Sequence, residues 1–166
     1  MTLDHLYLSP HLDDVVLSCG GLIRQQCANG ENVLVVSVFT QSAPPSELSP
    51  FAKAMHCIWT DQLDPLALRR AEDEAAMRDL GAQFQHLNYR SAMYRRNAEG
   101  RSLYQGVGVF GKLHPDEATF TETLAAEFMR LRLAHPQAII YVPLAVGQHV
   151  DHQHVNLAAG ELPGKV

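Results

Sequence analysis

Cysteine is scarce in this chain: Cys19, Cys27 and Cys57 are the only three among 166 residues. The number is odd and no close Cys-x-x-Cys spacing occurs, which argues against a disulfide framework and for a reducing compartment. Long apolar runs are also lacking. None approaches the roughly 20 residues of a membrane helix, and the N-terminus has no basic segment followed by an apolar core, as a signal peptide would. A cytoplasmic protein without a membrane segment is therefore expected. Positive charge is short as well, the formal net charge being -5 at pH 7. Nucleic-acid binding needs clustered Lys and Arg to displace counterions, so no nucleic-acid partner is expected. The local exception is Tyr94-Arg95-Arg96 with Arg90 and Arg101 nearby, which reads as a solvated loop that could meet a phosphate if it bordered a pocket. There are no repeats. A hydrophobic content of 46% over 166 residues suits one globular domain spanning residues 1–166.

What the chain does have is histidine beside aspartate at two places. Pro10-His11-Leu12-Asp13-Asp14 follows the apolar run Leu6-Tyr7-Leu8 and leads into Val15-Val16-Leu17. The same run also fits an ordinary helix start, with one Asp as N-cap and the other favoured by the helix dipole. Far downstream, Gly147-Gln148-His149-Val150-Asp151-His152-Gln153-His154 follows the apolar segment 138–144. Three imidazoles beside a carboxylate suit a divalent metal such as zinc.

Between these clusters, strand-like apolar runs alternate with helical patterns, the signature of an α/β fold with a mostly parallel sheet. Residues 3–8, 32–40, 84–89 and 138–144 read as strands. The second is almost unbroken apolar, as in a strand covered on both faces. Helices are expected at 13–28, with Val16, Leu17, Leu22, Ile23 and Cys27 inward, and at 66–80, with Leu68, Ala71, Ala75, Ala76 and Leu80 inward. A third is expected at 117–134, with Phe120, Leu124, Phe128 and Leu131 on one face. Ser18, Gly20 and Gly21 suggest close packing of the first helix on the sheet. Segments 42–62 and 90–115 read as variable loops. Since both His/Asp clusters follow strands, a parallel sheet would carry them to one edge, where such folds bind ligands.

Taken together, His11-Leu12-Asp13-Asp14 and His149-Val150-Asp151-His152 resemble the PIG-L/LmbE-like deacetylases, and Ser18-Cys19-Gly20-Gly21 and Arg69-Arg70-Ala71-Glu72 before Leu80-Gly81 are similar to the family too. The resemblance implies a Rossmann-like three-layer αβα fold. It also implies a zinc-dependent enzyme that removes the N-acetyl group from N-acetylglucosamine units of glycoconjugates. By the same resemblance His11, Asp14 and His152 hold the metal, whereas spacing alone also permits Asp13 or His149 as ligands.

Amide hydrolysis needs an activated water, a stabilised oxyanion and a proton for the departing amine. Asp13 is then the general base, His149 a protonated oxyanion stabiliser or general acid, and Asp151 the group that holds the His149 ring. His154 reads as a helix-surface residue or an outer support of the site, and Arg69 or Arg70 as an exposed helix turn beside Glu72 and Asp73, or as a contact to the sugar. Zn²⁺ is the expected cofactor, with Fe²⁺ also compatible with nitrogen and carboxylate ligands. The expected partner is a small acetylated amino sugar, and a homo-oligomer is left open. Two other readings stand beside this one: a metal-dependent amidase on a non-sugar metabolite, and an inactive module that binds sugar or metal. Members of the family usually continue through further helices and strands, so a chain ending shortly after His154 is expected to lack a C-terminal part or to be an unusually short member.

Overall fold

Four parallel strands form the centre of the structure, a computed structural model that describes residues 2–59 and 64–163. In chain order the elements are β1 (His5–Ser9), α1 (Asp14–Ala28), β2 (Val33–Ser37), α2 (Pro50–Trp59), α3 (Pro65–Leu80), β3 (Gln83–His86), α4 (Phe120–Ala134), β4 (Ile139–Tyr141) and α5 (Val150–Gly160). The sheet order is β3-β2-β1-β4. The chain therefore builds outward from β1 to β3 and returns through α4 to place β4 on the other flank of β1. That reversal is the switch point at which open α/β sheets form their ligand crevice. In register, His5 to Tyr7 pair with Ile139 to Tyr141, so the two His/Asp segments leave adjacent strands in the same direction.

Strand alternation sorts the core into two layers. Leu6, Leu8, Leu34 and Val36 pack with Leu124, Phe128 and Leu131 of α4 and Val155, Ala158 and Ala159 of α5. Tyr7, Val33 and Val35 point the other way, onto Val15 and Ile23 of α1 and Met77 of α3. The three-layer αβα arrangement thus stands as expected, with β2 buried along its whole length. Phe128 is 1% exposed at the centre of the larger layer. Phe128→Ala is expected to cost about 3–5 kcal/mol of unfolding free energy in a denaturant titration, from lost transfer energy plus the cavity left behind.

Several local expectations are corrected. Strands are shorter than the apolar runs because pairing, not hydropathy, ends them: β4 stops at Tyr141, two residues before Pro143, which has no N–H to donate. The helix expected from 117 starts at Phe120, after a 3-10 turn over Pro115–Glu117. On α1 the inward residues are Val15, Ile23 and Gln26, while Leu17 is 81% and Leu22 44% exposed. Gly20 and Gly21 do not mediate close packing; the space beside them is open or bounded only by Val16 at ordinary contact distance. On α3 the inward line is Leu66, Asp73 and Met77, whereas Ala71 and Ala75 face solvent. Asp73 can lie inside because His86 and the Ser37 hydroxyl both bond its carboxylate.

The segment 42–62 was expected to be a loop, yet its described part contains α2. Its start was visible locally. Ser49 accepts from the Ala52 N–H as an N-cap, and Pro50 occupies the first turn, where its missing N–H costs nothing. The end of that segment and the terminal residues 164–166 lie outside the described residues. Among the described residues no helix is long and apolar enough to cross a membrane.

Candidate metal and catalytic site

The site is assembled from the exits of β1 and β4. After β1, the Ser9 hydroxyl donates to the His11 carbonyl (2.6 Å) and accepts from the Val15 N–H (3.3 Å), tying the turn to the start of α1. Asp14 folds back so that Oδ2 accepts from the His11 backbone N–H at 2.9 Å. The same oxygen lies 3.2 Å from His11 Nδ1 and 3.1 Å from His152 Nε2. After β4, the turn to α5 passes through three left-handed residues, Ala145 (φ 55°), Gly147 (φ 92°) and Gln148 (φ 60°). Two of these are not glycine, and such strain is held where surrounding structure over-determines the backbone. It delivers His149, whose Nδ1 accepts from the Asp151 N–H at 3.2 Å and so caps α5.

His11, Asp14 and His152 each present a ligand atom within 4.8 Å of the other two. His11, His149 and Asp151 form a second such group. The two sets share His11 through different ring nitrogens: Nδ1 faces Asp14, and Nε2 donates to Asp151 Oδ2 at 2.9 Å. A carboxylate on the outer nitrogen of a histidine orients the ring and raises its basicity toward a metal at the inner nitrogen. The donor set of two imidazoles and one carboxylate, with that outer support, fits a divalent cation of the zinc or iron type.

Electrostatics agree. Burial acts to lower the His11 pKa, but its bonds to Asp14 and Asp151 outweigh this and raise it to about 10. Burial likewise opposes ionisation of Asp14, and the bonds from His11 and His152 prevail, holding it well below the usual carboxylate range. Asp151 is also held low despite complete burial, first by the charge of Arg95 and then by His11. Carboxylates held ionised around one imidazole make a locus where positive charge is favoured.

Asp13 sits at the head of α1 but makes no side-chain cap bond. Its carboxylate instead meets Arg69 Nη2 at 2.8 Å, and Arg69 lies over the Trp59 ring, 5.1 Å from its centroid. The expected exposed turn with Glu72 and Asp73 as partners is thus replaced: Arg69 reaches into the site, while Arg70 bonds the Thr40 carbonyl at 2.6 Å. Both Asp13 and Arg69 line a cavity of about 700 Å³ that also holds His11, His149 and His152. Phe51, Met55 and Trp59, one face of α2, form one apolar wall, and Val107, Phe110 and Val146 are among its other lining residues.

Two roles expected for the second cluster are not matched by the surroundings. His149 is not held charged: burial pushes its pKa down to about 4, the neighbouring His11 and His152 add to this, and only the acids oppose it. The Asp151 carboxylate does not hold the His149 ring either. It accepts from His11, from the Ala92 N–H (3.0 Å) and from Arg95 Nη1 (2.5 Å).

Arg95 was expected in a solvated loop, yet it is 8% exposed and bridges Asp151 to Glu117. Arg90 pairs with the Glu47 carboxylate and Arg101 with that of Glu99, while Arg96 donates to the backbone carbonyls of Glu47 and Gly100. His154 is fully buried rather than on the surface, with Nε2 on Glu117 at 3.1 Å and Nδ1 on the Thr121 hydroxyl at 2.8 Å. Neither Arg95 nor Glu117 stands in a local pattern that marks it as buried; their pairing spans 22 residues and depends on the packed loops. Asp14, Asp151 and the imidazoles, by contrast, fall together as their motifs imply.

Known proteins resemble this chain in sequence and in fold. A 2'-N-acetylparomamine deacetylase of Niallia circulans is 28% identical over 162 residues, covering 89% of this chain and 58% of its own. A solved deacetylase of the teicoplanin biosynthesis pathway superposes with a TM-score of 0.84 at 33% identity, over 94% of this chain and 60% of its own. The zinc-inhibited form of teicoplanin deacetylase gives 0.83 at 34% identity, over 94% and 61%. The chain thus spans about three fifths of the length of these relatives. The family model described as GlcNAc-PI de-N-acetylase matches residues 6–162, almost all of the chain, and the chain therefore belongs to the PIG-L family.

Proposed function

We propose that residues 1–166 form a metal-dependent deacetylase domain that removes the N-acetyl group from an N-acetylglucosamine-type sugar or glycoconjugate. The observation that carries this reading is the convergence of His11 Nδ1, Asp14 Oδ2 and His152 Nε2 in one cavity with the Asp13 carboxylate, which is paired with Arg69. Relatives named as deacetylases of an aminoglycoside precursor and of a glycopeptide antibiotic support the reaction class.

His11, Asp14 and His152 would hold a divalent metal, which supplies a Lewis acid that acidifies water and polarises the amide carbonyl. Asp13 takes the proton from the attacking water and returns it to the departing amine. Arg69, 2.8 Å from the Asp13 carboxylate, holds it in place at the cavity wall. His149 works as a neutral imidazole: with Nδ1 accepting from the Asp151 N–H, its proton lies on Nε2, which donates to the oxygen that gains charge as the carbonyl is attacked. The apolar wall of α2 excludes water from one side and offers a face to the sugar or its substituent.

Acetate release should be followed on a panel of N-acetylated glucosamine derivatives and simple acetamides, with Zn²⁺ or Fe²⁺ titrated from below one equivalent to excess. The excess arm matters because zinc is named as inhibitory in one relative. Release from the sugars alone, rising to one equivalent of metal and abolished by chelation, is expected. Release from the simple amides alone would establish the amidase instead, and inactivity under every condition would leave a binding module.

A further inference from the structure

Of the buried polar cluster behind His11, only Asp151 also lines the cavity, and the rest takes no part in the chemistry above. Its centre is Arg95, whose guanidinium joins three segments. Nη1 donates to Asp151 Oδ1 at 2.5 Å and to the Arg90 carbonyl at 3.1 Å, while Nε and Nη2 both reach Glu117. The planar group lies among the rings of Phe39, Tyr104 and Phe120, each 5.1–5.6 Å from its central carbon. Glu117 is anchored in turn by the Tyr104 hydroxyl at 2.5 Å and His154 Nε2 at 3.1 Å. Arg95, Glu117, Asp151, Tyr104 and His154 are all at least nine-tenths buried.

This placement has a direct consequence for His11. Asp151 fixes the outer nitrogen of that ring, and the Asp151 carboxylate is itself fixed by Arg95 on Oδ1 and by the Ala92 N–H. A guanidinium offers its donors in one rigid fork, so it sets the plane of the carboxylate as well as its position. We propose that Arg95 is a positioning residue for the metal site: acting through Asp151, it orients His11 so that Nδ1 converges with Asp14 and His152. Glu117, Tyr104 and His154 form its rigid back wall. The inference rests on the reading of His11, Asp14 and His152 as metal ligands.

The test uses Arg95→Lys and Arg95→Met in the full chain, with Tyr104→Phe as a control that removes only the hydroxyl bond to Glu117 and keeps the ring beside Arg95. Affinity for Co²⁺ is measured by titration, the visible Co²⁺ spectrum reports ligand geometry, and the thermal melt of the metal-free protein reports folding. Arg95→Met is expected to weaken Co²⁺ binding by about 10–100-fold, the usual consequence of losing an outer support of a metal ligand, and to alter the spectrum. Arg95→Lys, which keeps the charge and loses the fork, should weaken it less, and Tyr104→Phe should stay within twofold of the parent. Should Arg95→Met fail to fold, Arg95→Lys decides the matter. Folded Arg95 variants with parental affinity and spectrum, even at a lower melting temperature, would overturn the positioning role and leave the ligand reading intact. A parent chain that binds no Co²⁺ would overturn the ligand reading and this inference with it.

Discussion

Asp13→Ala is expected to lower the rate of acetate release by about 10²–10⁴-fold, the usual contribution of a positioned general base, while metal content stays at that of the parent. The separation of the two effects follows from the geometry. Asp14 Oδ2 and the two imidazoles meet without Asp13, whose carboxylate is directed to Arg69 at 2.8 Å. Nor should stability suffer much. Asp13 is about half exposed, its ion pair with Arg69 is worth at most about 1 kcal/mol, and no side-chain cap on α1 is lost. Asp13→Asn, which preserves shape and can still face Arg69, should be nearly as slow, because an amide cannot accept the proton. Parental turnover in either variant, measured with metal occupancy verified, would sink the assignment of Asp13 as base.

The second large effect is expected for His152→Ala. Removing one of three converging donors should weaken metal binding by more than the about 10–100-fold that an outer partner is worth. The consequence is readable without any substrate. A metal held at 100 times its dissociation constant stabilises the folded state by about 2.7 kcal/mol, which for a chain of this size raises the melting temperature by about 5–11 °C. The parent should show that rise on adding Zn²⁺ and the variant should not, while their metal-free melts stay close, because the His152 side chain is partly exposed and its ion-pair partner among the described residues is Asp14. An equal metal-dependent rise in both would remove His152 from the ligand set.

These expectations rest on residues with very different visibility in the sequence. The two motifs were legible because each is short, each directly follows an apolar run, and parallel strands must carry such segments to one edge. β1 and β4 are indeed neighbours, in register from His5 opposite Ile139. The α4 face was legible for a similar reason: Leu124, Phe128 and Leu131 repeat at helical spacing and all face the sheet. The α1 and α3 faces were less so. Leu17 and Leu22 are apolar and exposed, and Asp73 is charged and buried, because the inward stripe is set by which side the crossover presents to the sheet. α2 had a readable start at Ser49-Pro50, obscured by the irregular composition around it.

The sequence by itself determined the donor types, their grouping at strand ends and the parallel α/β order that unites them, since all of these follow from local periodicity and short motifs. Only the tertiary structure decided the partners. Asp151 turned to His11 and Arg95 rather than to the His149 ring, Asp13 to Arg69, and Arg95 away from solvent into a cage of rings. Those pairings join residues 56 to 140 positions apart. A buried charge takes the partner that packing brings to hydrogen-bond distance, because leaving it unpaired costs several kcal/mol, and that distance is a property of the assembled layers.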